Sequence, residues 1–215
     1  MSDKAHCPLC GARNYREFAT DARRNYLRCA RCFLVWVPPR YYLDRAQERS
    51  EYDKHQNTTD DPGYRRFLDR LCQPLLAVLD ENASGLEFGC GPGPALACML
   101  REAGHQVTLY DSFYYPDSDA LAASYDFISA TEVVEHLHNP GVELDRLWAM
   151  LRDGGVLAVM TKLVLDEAAF SRWHYKNDPT HVVFFSEPTW QWWAQQKSAR
   201  LALYGADVIL FHKGS

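Results

Sequence analysis

Residues 86 to 93 read LEFGCGPG, between a short apolar run and a helix-forming one. Three glycines and a proline within five residues leave no room for a regular element. The chain must leave a strand, turn sharply and enter a helix. Such a turn either reverses the chain or brings backbone closer to a ligand than side chains permit.

The flanking pattern favours the second use. From residue 64 to about 82, Phe67, Leu68, Leu71, Leu75, Leu76 and Leu79 recur at helical spacing, and Pro74 is expected to kink or break that helix. A strand over 86–88 follows, then a helix over 95–103 closed by Gly104, and strands over 106–111 and 125–130. A helix over 142–151 runs into Gly154-Gly155 and the strand GVLAVMTKL. A helix over 187–197 precedes ARLALYG and ADVILFHK, two strands turning at Gly205. Strands alternating with helices predict an α/β, doubly wound and mainly parallel sheet, to which the closing hairpin adds an antiparallel member. In such sheets ligands sit beyond the carboxyl ends of the strands, at the first crossover. Asp111 ends the next strand, eighteen residues past Gly93, where a carboxylate accepts hydrogen bonds from ribose hydroxyls.

The front of the chain has a different signature. Cys7-Pro-Leu-Cys10 and Cys29-Ala-Arg-Cys32 give the spacing C-x2-C-x18-C-x2-C. Two intervening residues let a tight turn aim both sulfurs at one point, and two such turns complete a tetrahedron of thiolates. We expect residues 1–37 to form a zinc ribbon, similar to rubredoxin-like knuckles. Zinc is favoured over iron, and Tyr15, Phe18, Tyr26, Leu27 and Phe33 are its expected small core. A closed four-thiolate site leaves no open position, so its role is folding. Cys72, Cys90 and Cys98 have no ligand spacing.

No stretch approaches the roughly 18 uninterrupted apolar residues of a membrane span. The opening MSDKAHCPLC has no apolar run, so a cytoplasmic protein is expected. A net charge of −5 argues against broad capture of nucleic acid. Locally, seven arginines from Arg13 to Arg40 stand against only Glu17 and Asp21. This reads as a solvated face or as a site for an anionic partner. Residues 38–63 form a polar, turn-rich connector, in which Tyr52, His55, Gln56 and Asn57 crowd polar and aromatic groups just before the first helix of the larger domain.

Taken in order, these segments resemble the class I S-adenosylmethionine-dependent methyltransferases. LEFGCGPG is similar to their first motif, LYD to their second and YDFISATEVVEHLHNP to their fourth-strand segment. LRDGGVLAV and DPTHVVFFSEPTW are similar to the segments leading into and following the fifth strand. The resemblance covers residues 64 to 213. It implies a Rossmann-like seven-stranded sheet with one antiparallel strand over 64–215. It also implies S-adenosylmethionine contacts at Glu87, Gly89, Cys90, Gly91, Gly93, Asp111, Ser112, Thr131 and Glu132, with Tyr52 from the connector, which the resemblance implies is a lid over the methionine end. Only fourteen residues separate Asp111 from Asp126. The third strand is therefore expected to be very short, around 114–116, with Asp117, Asp119, Leu121 and Phe113 as adenine contacts.

Methyl transfer needs an oriented acceptor and, for some acceptors, a base. His181 in DPTHVVFF is the leading candidate. His136 in EHLH is a second one, or else a structural hydrogen-bonding group at a helix. The chain has ATEV where amino-directed nucleic-acid methyltransferases carry an N/D-P-P-Y/F segment, so a small-molecule acceptor is expected. An RNA-directed enzyme guided by the arginine-rich ribbon, or a non-catalytic partner that kept the cofactor fold, are the alternatives.

Overall fold

The computed structural model describes residues 6–54 and 58–214. Six strands build the main sheet: β4 (Ser84–Phe88), β5 (Gln106–Tyr110), β6 (Tyr125–Thr131), β7 (Leu151–Met160), β9 (Arg200–Tyr204) and β10 (Val208–His212). Their order is β5-β4-β6-β7-β10-β9. The first four run parallel, and β10 is antiparallel to both its neighbours, which makes it the one reversed strand. The expected class is therefore present with six strands in place of seven. Between β5 and β6 the described residues form only an Asp111–Tyr115 bridge and a 3-10 turn, Ser118–Leu121. A crossover to another parallel strand takes a dozen or more residues on its own, so fourteen cannot hold one and the strand as well.

The helices flanking the sheet follow their apolar spacing. α2 (Pro62–Leu76) buries Leu68, Leu71, Cys72 and Leu75, with Asp61 capping its first turn. Pro74 lies inside its last turn, and the helix stops two residues later, short of the expected residue 82. α3 (Ala95–Glu102) and α4 (Pro140–Met150) match the pattern, as does α6 (Glu187–Gln196), whose Ser186 caps Thr189. Trp190 and Trp193 are buried, and Trp190 stacks on Phe185 at 4.1 Å between ring centroids, which makes both core residues. Among the described residues no helix is long and apolar enough to cross a membrane.

The front module is not a separate body. β1 (Tyr15–Thr20), β2 (Asn25–Cys29) and β3 (Val35–Trp36) form an antiparallel sheet whose fourth strand is β8 (Val183–Phe184), from just past His181. Phe18 and Tyr26 pack edge-on against Phe170 of α5 (Glu167–Ser171), at 5.2 and 4.9 Å. One buried cluster runs from Cys29 and Trp36 to Phe184 and Trp193. The expected small core thus extends well beyond residue 37, because a ribbon of three short strands, the third of only two residues, buries its aromatic face by packing on a further element. Phe33 departs from expectation: it has φ 63° and is 37% exposed, outside that core.

The connector also holds structure that the sequence reading missed. α1 (Arg45–Tyr52) starts at Asp44, whose carboxylate accepts from the amides of Ala46 and Gln47 while the Gln47 side chain returns to the Asp44 amide. This capping box was legible as Asp44-x-x-Gln47. His55, Gln56 and Asn57 lie outside the described residues.

Candidate active site and metal centre

A cavity of about 640 Å³ opens at the carboxyl edge of the sheet. The glycine loop forms one wall. Gly89 and Gly91 have φ of +72° and +62°, a left-handed backbone that favours glycine. A Cβ on Gly89 would lie 2.5 Å from Val133, whereas a Cβ on Gly91 would meet no protein atom within 4 Å. The loop is fastened from below: the Gly89 amide donates to Tyr110 O at 2.7 Å, and the Gly91 amide to Asp111 Oδ2 at 3.0 Å. Asp111 Oδ1 accepts from the amides of Phe113 and Tyr114. Asp111 therefore locks the loop, and its Oδ2 keeps a lone pair for a further donor.

Gly89, Cys90, Gly91, Gly93, Asp111, Ser112, Thr131, Glu132 and Tyr52 all line this cavity, and so do His136 and His181. Glu87 does not. Its buried carboxyl sits behind the loop and accepts from the Ala97 amide at 2.8 Å, which fixes the first turn of α3. Burial pushes it up to about 8, against the pull of that amide. Of the expected adenine contacts only Phe113 lines the cavity; Asp117, Asp119 and Leu121 lie beyond it. The cavity floor carries two buried polar atoms without partners among the described residues, Thr131 Oγ1 and Glu132 Oε1. Unpartnered polar atoms beside the open space at Gly91 suit a polar ligand such as the methionine end of S-adenosylmethionine.

α1 forms the roof. The Tyr52 ring lies 5.5 Å from Phe113 on one side and 5.3 Å from His136 on the other. Arg45 donates to Ser112 O at 2.7 Å, and the Tyr114 hydroxyl donates to Asp53 at 2.6 Å. Opposite them, Glu48 sits 2.9 Å from His138 Nε2.

Behind the floor lies an acid cluster the sequence reading passed over. Glu135 is fully buried and accepts from Thr161 Oγ1 at 3.1 Å. The Tyr175 hydroxyl bonds to Glu135 and lies 3.3 Å from Glu132 Oε2. Burial raises Glu132 to about 7, with Lys162 opposing. Burial and the neighbouring Glu132 charge raise Glu135 from 4.5 to about 8. Glu132 itself has φ 52°, a strained conformation for a side-chain-bearing residue. The folded state holds a proton on Glu135 that the unfolded chain has released between these pH values. Its contribution to stability is full below about 4.5 and is lost as pH rises through about 8. Urea unfolding at both ends of that window is expected to show stability falling with pH, and Glu135→Gln is expected to flatten the fall. Parallel slopes for the two proteins would contradict this.

His181 is 7% exposed, and its Nδ1 lies 2.7 Å from Tyr175 O. A carbonyl only accepts, so Nδ1 carries the proton and Nε2 keeps the lone pair, 3.8 Å from Asp178 Oδ2. Burial lowers the His181 pKa, against Asp178, which favours a neutral ring suited to accept a proton. His136 is set 4.7 Å from the His181 ring, with Nδ1 3.3 Å from Thr180 O. The fourth-strand and fifth-strand segments thus bring both imidazoles to one wall. His174 and Trp173 do not line the cavity.

Cys7, Cys10, Cys29 and Cys32 converge as their spacing predicts. Their sulfurs all lie within 4.8 Å of one another, with Cys7–Cys32 at 3.4 Å and Cys10–Cys29 at 3.5 Å. A zinc tetrahedron with bonds of about 2.3 Å sets sulfurs roughly 3.8 Å apart, so the four fit such an ion. Their packing onto the larger fold is tight: the Gly141 amide donates to Pro8 O, and a Cβ on Gly141 would meet Leu9 O at 2.4 Å.

Comparison with known proteins agrees with this geometry. A family model described as a methyltransferase domain, Methyltransf_23, matches residues 61–198. Trans-aconitate 2-methyltransferase of Deinococcus radiodurans is 30% identical over 129 residues, 49% of this chain and 50% of that protein. Ubiquinone biosynthesis O-methyltransferase of Nitrobacter winogradskyi is 33% identical over 97 residues, covering 42% and 34%. The chain spans about half the length of the curated trans-aconitate relatives it matches. Among solved structures, Burkholderia thailandensis 1,6-didemethyltoxoflavin-N1-methyltransferase, bound to 1,6-didemethyltoxoflavin and S-adenosylhomocysteine, superposes with a TM-score of 0.51 at 18% identity. That likeness covers 93% of this chain and all of the other, and it shows the fold. With the glycine loop, its locking aspartate and the matched domain in one frame, the chain belongs to the class I S-adenosylmethionine-dependent methyltransferases.

Proposed function

We propose that this protein transfers a methyl group from S-adenosylmethionine to a small-molecule acceptor. The observation that carries the reading is one cavity joining the glycine loop and Asp111 to two imidazoles under an aromatic roof. The cofactor, when bound, supplies an electrophilic methyl group on a sulfonium. The chain's own residues do the rest. Gly91 leaves room for the cofactor, Asp111 accepts from ribose hydroxyls, and Thr131 and Glu132 offer polar partners at the floor. Tyr52 and α1 act as the lid and exclude water. His181 takes the acceptor's proton on Nε2 as the new bond to methyl forms.

The small acceptor is favoured over RNA by how the front arginines are used. Arg16 pairs with Glu167, Arg40 bonds Asn25, Arg23 caps a carbonyl and Arg24 is buried. Arg28 and Arg31 lie over the rings of Phe18 and Trp192. Much of the cluster is therefore structural. The curated relatives named above point the same way, since their names specify trans-aconitate and a ubiquinone pathway. The four cysteines hold zinc as a folding site. A cytoplasmic setting suits seven cysteines that form no disulfide.

The test is incubation with methyl-labelled cofactor and either a metabolite fraction or total RNA. Label in the small-molecule fraction that falls at least about 100-fold with His181→Gln, the range of a lost general base, supports the reading. Label confined to RNA overturns the acceptor class, and none in either favours a non-catalytic partner.

A further inference from the structure

The segment from Lys176 to His181 carries the proposed base, and from Asp178 to His181 it has no regular secondary structure. Within itself it is held by one turn, in which Asp178 accepts from the Thr180 amide and hydroxyl and the His181 amide reaches Asp178 O at 3.3 Å. Its remaining carbonyls need partners from outside, and most of these lie in the cysteine module. Arg24, in the turn joining β1 to β2, is only 7% exposed. Its Nη1 donates to His181 O at 2.8 Å and reaches Pro179 O at 3.4 Å. Its Nη2 donates to Asp178 O at 3.0 Å and to Lys176 O. Four carbonyls of one short segment converge on one guanidinium, the planar fork whose fixed donors suit such a bowl. A buried cation needs those acceptors, so the two sides define each other.

The turn is rigid in its own right. Asp21 Oδ1 accepts from the amides of Arg23 and Arg24, and its Oδ2 meets Lys176 Nζ at 2.5 Å and the Tyr26 hydroxyl at 3.1 Å. Lys176 is buried as well. The module therefore grips the segment at both ends, at Lys176 and at His181.

We propose that Arg24 is a positioning residue for His181, acting from the cysteine module to hold the imidazole in its Nδ1–H form on the cavity wall. By bonding the carbonyls on either side, it orients the Tyr175–His181 turn so that Tyr175 O meets Nδ1. The charged and titratable groups around the ring are Asp178 and Arg24 from this frame, Lys162 beyond β7, His136 and Glu135 from the fourth-strand segment, the latter with a carboxylate oxygen within 4.8 Å of a ring nitrogen, and Tyr175. Arg24 thus also contributes a positive charge that disfavours the imidazolium. The role of the base rests on the function proposed above, but the hold of Arg24 on the ring does not.

The experiment is long-range proton–nitrogen NMR of the histidine side chains, which reads tautomer and titration directly and needs no acceptor. The wild-type protein is expected to show His181 with a protonated Nδ1 and a pKa below the ordinary histidine value. Arg24→Gln is expected to mix the tautomers and move that pKa upward, while S-adenosylhomocysteine still binds as in the wild type. Asp21→Asn, which removes the Lys176 and Tyr26 partners of Oδ2 while an amide oxygen still accepts from the turn amides, serves if Arg24→Gln fails to fold; it is expected to mix the His181 tautomers to a lesser extent. A wild-type ring protonated at Nε2, or a His181 signal unmoved in whichever variant folds, overturns the proposal. Loss of S-adenosylhomocysteine binding by the wild type would instead count against the methyltransferase reading, leaving the NMR result to stand or fall separately.

Discussion

Replacing Gly91 with valine is expected to weaken S-adenosylmethionine binding by at least about 100-fold, the equivalent of roughly 3 kcal/mol. Two effects combine. Gly91 has φ +62°, where a β-branched residue pays on the order of 1–2 kcal/mol. Its Cβ would also point into space that no protein atom occupies, beside the loop that lines the cavity. The fold should survive, because nothing in the protein is struck. Calorimetry with S-adenosylmethionine and S-adenosylhomocysteine measures the loss, and thermal melting checks the fold. Wild-type-like affinity would remove the glycine loop from the cofactor site. Tyr52→Ala is the milder companion: its ring spans Phe113 and His136 without entering the core, so it should weaken binding with little change in the melting temperature of the unliganded protein.

Stripping the metal is expected to cost more than the cysteine module alone. Gently purified protein should carry one zinc per chain, and a chelator should lower the melting temperature on the order of 10 °C, at about 2–4 °C per kcal/mol for a chain of this size. The reason is the shared sheet. β3 pairs with β8, and the buried cluster around Trp36, Phe170 and Phe184 belongs to both parts. Residues 64–215 therefore have a core independent of the cysteine module on one side only. A second buried cluster, of Leu68, Leu71, Leu96, Leu100 and Phe127, lies among α2, α3 and the sheet, away from the cysteines. Chelation should therefore disturb Trp36 and the His181 segment while α2 and α3 stay folded. Metal-free protein with an unchanged melting curve would show that the four cysteines are not a folding site.

The strands of the main sheet, the helices flanking it and the glycine loop were readable in the sequence because each depends on neighbours within a few residues. Apolar spacing is local, and so are the tight turn at Gly89–Gly93 and the paired cysteines. The fourteen residues between Asp111 and Asp126 led to the expectation of a short third strand around 114–116, of which only the isolated Asp111–Tyr115 bridge is present. Asp44-x-x-Gln47 marked the start of α1 just as locally, although the polar run that follows it disguised the helix. What sequence could not reveal depends on contacts across the chain. Glu87 faces α3 instead of the cavity because a parallel strand buries both its faces, and the side toward α3 is fixed only by packing. Glu135 forms its acid cluster with Tyr175, forty residues on, and Arg24 reaches the carbonyls around His181 across more than 150. The residue types of a methyltransferase were written along the chain. That the cysteine module forms part of the frame of its candidate active site was decided by tertiary structure, where the β1–β2 turn buried a guanidinium against an irregular loop more than 150 residues away.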